Sequence, residues 1–136
     1  MAVAYIGLLA ARLRARFHVQ VQVSHTGAEP QTPAAVPVKG RVVRVFRSGG
    51  ALHAGDEVVF SVHVCRPDDH IWPGPIFMCY ETFRGANYME VFLNGSPPEC
   101  EVALDQCVAI DTPTRIPQVR LSRLAYMVEW VKWKRH

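Results

Sequence analysis

The sequence predicts a mainly β fold, a small closed barrel of five or six antiparallel strands with short helices at the N- and C-terminal ends. Three observations lead there. Between residues 17 and 110 the apolar side chains recur at a spacing of two, the period of a pleated strand with one buried face. Ten prolines and nine glycines divide the chain into short elements. Helical spacing is confined to the two ends. At 136 residues the chain fits one domain over 1–136, and with 49% of its residues apolar and 20% charged it can bury a core.

Residues 1–16 predict the first helix. Tyr5, Leu9 and Leu13 recur every four residues with Ile6 beside them, and Arg12, Arg14 and Arg16 gather where the helix dipole is negative. The period then changes. Over 17–24, Phe17, Val19, Val21 and Val23 alternate with His18, Gln20, Gln22 and Ser24, giving a strand with one wet face that could serve as an edge or a dimer contact. Residues 25–37 hold three prolines and no period, and are expected to be a loop.

The barrel proper is expected over 38–111. Val42, Val43 and Val45 interleave with Arg41, Arg44 and Arg47. Ser48, Gly49 and Gly50 stop that strand, and a second turn at Gly55-Asp56 leads into Val58, Phe60, Val62 and Val64. The segment after Cys65, RPDDHIWPGP, is too rich in proline for regular backbone. Residues 76–83 read as a strand with Phe77 and Cys79 on one face and Met78 and Tyr80 on the other. Residues 87–94 follow as another, with Met89, Val91 and Leu93 opposite Tyr88, Glu90 and Phe92. Asn94-Gly95 with Pro97-Pro98 makes a turn, and 101–110 supplies the last strand, kinked near Asp105 and Gln106. Residues 122–136 return to helical spacing, with Ser122 as cap and Leu124, Met127, Val128 and Val131 as the apolar stripe. This length and strand count favour an OB-like barrel.

The signals Gly40, Val42 and Val45, then Gly55, Asp56, Val58, Phe60 and Val62, then Gly85, Tyr88, Phe92, Leu93 and Gly95 resemble the netrin-like, tissue-inhibitor-of-metalloproteinases type of OB barrel over about residues 38–111. The resemblance implies the fold. Inhibitors of that family present an N-terminal cysteine to the zinc of the target protease. Here position 1 is Met1 and no cysteine precedes Cys65, so inhibition is not implied.

Charge is distributed unevenly along the chain. Residues 1–55 carry a net +6, residues 56–111 a net −8 and residues 112–136 a net +5. Basic ends can lie against the acidic body or contact phosphates. Cys65, Cys79, Cys100 and Cys107 contain no C-x-x-C, which excludes the usual zinc and redox spacings. The first apolar run precedes its arginines, the reverse of a secretory signal, and is too short to span a membrane. The expectation is a cytoplasmic protein with reduced thiols.

These features predict a non-catalytic binding or assembly module that needs no cofactor. It would work with a protein partner or a second copy, docked through the first strand or the terminal helices. The alternative is a single-stranded nucleic-acid binder in which Arg44, Phe46, His63, Tyr88 and Phe92 supply cation and stacking surfaces, although Glu90 lies between the last two on the same face. A third reading is a metal site or hydrolase built on His63, Cys65 and His70 beside Asp68 and Asp69; strand residues two apart stand about 6 to 7 Å from each other, so one metal would need further ligands. Trp130 and Trp133 among Lys132, Lys134 and Arg135 also suit a membrane surface, though packing of the helix stripe on the barrel is favoured.

Overall fold

The computed structural model describes residues 2–25, 28–71 and 73–119. Helix α1 (Ala2–Arg14) leads into β1 (Phe17–Ser24), β2 (Ala34–Arg47) and β3 (Glu57–Cys65). A two-residue strand β4 (Met78–Cys79), helix α2 (Tyr80–Gly85), β5 (Tyr88–Ser96) and β6 (Glu99–Ile110) complete the described elements. The C-terminal helix expected at 122–136 lies outside the described residues.

The strands form one sheet in the order β2-β1-β5-β6-β3-β4, and an added β2–β3 pairing closes five of them into a ring. That order is OB-like. The expected antiparallel pattern needs one correction: β3 meets β6 in parallel, and β4 also joins β3 in parallel. Residues 66–77 separate β3 from β4, a connection long enough for the chain to return and run beside β3 in the same direction, and β6 runs parallel to β3 because β5, entered through α2, turns back into it as an antiparallel pair.

The period-two reading of β1 holds for its inner face, where Phe17, Val19 and Val21 are fully buried with Val58, Met89, Val91 and Leu93. Its outer face is not wet throughout. His18 and Gln20 are also buried, and only Gln22 and Ser24 reach solvent. Nor is β1 an edge: it pairs with β2 on one side and β5 on the other, so it offers no free ladder to a second copy.

Strand β2 extends further back than expected, into the stretch read as a loop. Ala34 to Arg41 pair with β3, and Lys39 to Arg47 pair with β1. Pro37 fits because β2 has only β3 beside it at that point, so its missing N–H interrupts no second ladder. Where both partners meet, Gly40 opposes Val23 and Val58. A Cβ there would stand 3.0 Å from the Val21 side chain.

The strand expected over 76–83 reduces to Met78–Cys79, and Tyr80–Gly85 is helical. Tyr80 and Phe83 are buried three residues apart on one helical face, a spacing that six residues are too few to reveal as a period. At the other end, α1 is capped by Arg47, whose guanidinium donates to the carbonyls of Arg12, Leu13 and Ala15 at 3.0, 3.2 and 2.5 Å. These are orphan acceptors at the negative end of the helix dipole. No helix among the described residues is long and apolar enough to cross a membrane.

Candidate functional site

Two of the five residues singled out for ligand binding, Phe46 and Phe92, meet at one ring. Phe92 is 1% exposed and stacks on the His18 ring at 4.0 Å, and Phe46, half-buried, leans on the same ring at 4.9 Å. Arg44 is exposed opposite Gln20. Tyr88 is half-buried at the start of β5. His63 stands apart on β3 and contacts neither aromatic; it pairs instead with Asp105. A stacking platform needs exposed rings, and the Phe92 ring is spent on packing against His18.

Beneath that aromatic group lies a closed polar cluster. Glu90 is fully buried and accepts four hydrogen bonds: from His18 Nε2 at 3.0 Å, and from Gln20 Nε2 and the backbone N–H groups of Gln118 and Val119, each at 2.8 Å. Gln20 binds Thr114 through both ends of its amide. Burial raises the Glu90 pKa, but the hydrogen bonds outweigh it and hold the carboxyl below its ordinary value. The cluster ties residues 114–119 across the outer face of β1 and β5. It is a structural latch.

The opening in the ring lies elsewhere. Strands β3 and β6 share a single bridge, Val59 with Glu99, supported by the Val59 N–H donating to the Pro98 carbonyl at 2.7 Å. Beyond it they part around a crevice of about 260 Å³. Ser61 and His63 line it from β3, Val102, Asp105, Cys107 and Ala109 from β6, and Ile76, Phe77 and Met78 cover its end. The cause is an excursion in β6. Val91 and Leu93 of β5 face Cys107 and Val102, so one β5 residue spans the place of four on β6, and Leu104 and Asp105 take positive φ of 44° and 58°.

That excursion throws Asp105 toward His63. Its Oδ1 lies 2.6 Å from His63 Nδ1, and its Oδ2 accepts from the Ile76 N–H at 3.0 Å, so one carboxylate joins both walls to the covering segment. The carboxylate fixes the proton on Nδ1, which leaves Nε2 of the neutral ring as an acceptor. Phe77 meets the imidazole edge-on at 5.7 Å. No Lys or Arg is among the described residues that line the crevice. Cys107 carries its thiol there with a pKa pushed up to about 12, chiefly by burial, with the Asp105 charge adding to it.

The metal reading finds no cluster: among the described residues, no three His, Cys, Asp or Glu side chains are placed to hold an ion. His70 is exposed, and Asp69 accepts from the Arg66 N–H at 2.6 Å within its own turn. All four cysteines are free. Of the residues that build the crevice, sequence reasoning found His63 and missed Asp105. The expected kink at Asp105 and Gln106 was the available signal, since a kinked strand projects a side chain out of its ladder. No protein-family model matches the chain, and no curated protein matches it.

Proposed function

We propose that the chain is a non-catalytic binding module whose crevice between β3 and β6 takes a small molecule with an apolar body and a cationic, hydrogen-bond-donating head. The observation that carries this is the composition of the crevice. Its walls are mostly apolar, and Asp105, the acceptor Nε2 of His63 and the Ser61 and Thr82 hydroxyls offer lone pairs with no Lys or Arg among the described lining residues. Such a lining favours an ammonium or N–H group and disfavours an anion. One feature supports binding over catalysis: the Cys107 thiol in the crevice stays protonated at neutral pH and is a poor nucleophile. The netrin-like resemblance contributes only the barrel to this proposal.

Calorimetric titration with tryptamine and with indole-3-acetate tests it, because the two share an apolar body and carry opposite charges. Tryptamine is expected to bind at least about tenfold more tightly, a difference of about 1.4 kcal/mol. Asp105→Asn should narrow that gap, and Ala109→Phe, which fills the crevice, should abolish binding of both. Equal affinities would remove the cationic head from the proposal, and no binding of either would remove the crevice as a site.

A second reading, binding of single-stranded nucleic acid, is favoured by the register of β1 and β2. Lys39, Arg41 and Arg44, all exposed, stand opposite Ser24, Gln22 and Gln20 on the outer face. This places a row of cations beside amide and hydroxyl groups.

A further inference from the structure

The parallel register of β3 and β4 pairs Cys65 with Cys79. Residues opposite each other on adjacent strands stand about 4.8 Å apart at Cα. That separation lies inside the range of about 4.4 to 6.8 Å that a disulfide spans. Both positions belong to the outer face. Val64, before Cys65, is fully buried and Met78, before Cys79, packs on the core, so the two cysteines that follow them turn outward; Cys79 is exposed and Cys65 half-buried. We propose that Cys65 and Cys79 form a dithiol site that closes to a disulfide on reaction with a small-molecule disulfide such as oxidised glutathione.

The chemistry balances in two exchanges. The Cys79 thiolate, the more accessible, attacks one sulfur of oxidised glutathione; a Cys79–glutathione bond forms, the glutathione S–S bond breaks, and one glutathione thiolate leaves. The Cys65 thiolate then attacks the Cys79 sulfur, forming the protein disulfide and expelling the second glutathione. The two thiol protons end on the two glutathiones, so the protein loses two electrons and glutathione disulfide gains them. Cys100 and Cys107 do not compete, since burial raises both thiols and keeps them protonated. The new bond closes the 66–78 segment into a loop at the point where Met78 covers the crevice. On the reading of the crevice as a ligand site, it fixes that site's cover.

The test is thiol mapping of the reduced full chain after exposure to oxidised glutathione. Trypsin cuts after Arg47 and Arg84 but not at Arg66, which precedes Pro67, so Cys65 and Cys79 share peptide 48–84, whereas Cys100 and Cys107 share peptide 85–115. Peptide 48–84 is expected to lose two hydrogens and resist alkylation while peptide 85–115 alkylates at both cysteines. In Cys65→Ser the reaction should stop with glutathione on Cys79. Two free thiols in peptide 48–84, glutathione retained there in the unsubstituted chain, or a disulfide in peptide 85–115 would each overturn the proposal. None of these outcomes depends on whether tryptamine binds.

Discussion

Glu90 shows how much of this molecule turns on single polar atoms. Its Oε1 accepts from Gln20 and the Gln118 N–H, and its Oε2 from His18 and the Val119 N–H. In Glu90→Gln an NH₂ group replaces one of those oxygens and faces donors. Imidazole can change tautomer to accept, but a backbone N–H cannot. The variant is expected to lose about 2 kcal/mol by denaturant titration, the cost of an unsatisfied buried donor plus weakened charge-assisted bonds. The pH dependence follows from the same carboxylate. Its folded pKa lies below the ordinary 4.5, so its contribution is fully present above that value and is lost as pH falls through the lower, folded one. The acid limb of a stability–pH curve should therefore be steeper in the unsubstituted protein than in Glu90→Gln; parallel limbs would show that the latch is not what acid opens. In the sequence, Glu90 reads only as a carboxylate between Tyr88 and Phe92 that counts against nucleic-acid binding. Its burial depends on residues 114–119, more than 20 positions away and without any period of their own.

Elements were legible where one periodicity ran long enough to be seen and illegible where a second element supplied the constraint. Residues 17–24 and 87–94 alternate cleanly and are strands at nearly those bounds, β1 (Phe17–Ser24) and β5 (Tyr88–Ser96). Ala34–Pro37 became strand because β3 lies beside it, despite small residues and proline. The β6 excursion was foreshadowed as a kink, but its purpose was not, because His63 and Ile76 reach Asp105 only once the ring is closed. This makes Asp105 the keystone of the crevice element. Asp105→Ala removes both hydrogen bonds and places a side chain that cannot bond locally at a φ of 58°. Amide exchange at Ile76 should speed up about tenfold or more, the equivalent of one hydrogen bond of roughly 1.4 kcal/mol, while exchange at Val91 stays unchanged. Faster exchange at both positions would mean that the variant loosens the whole barrel.

Across the whole molecule, ring closure converts an uneven charge sequence into two faces. The cation-rich 1–55 stretch supplies α1, β1 and β2, whereas the acid-rich 56–111 stretch supplies β3 to β6. The sequence showed this imbalance, but only strand order shows that the crevice opens within the acidic half while Lys39, Arg41 and Arg44 line up on the β1–β2 ladder. Arg47, the next arginine on β2, is turned instead to cap α1. Two ligand surfaces of opposite preference on different faces should act independently. A labelled single-stranded oligonucleotide followed by fluorescence anisotropy is expected to bind at low salt and to weaken steeply as salt rises, because released counterions drive the association. Arg41→Ala with Arg44→Ala should remove two phosphate contacts, lowering the log–log salt slope by about 1.4 on the single-strand scale. Phe92→Leu should leave affinity unchanged, since that ring is buried against His18. Saturating tryptamine should not displace the oligonucleotide. Displacement would place both ligands on one surface, and a salt slope unchanged in the double variant would show that cations outside the β1–β2 row hold the strand.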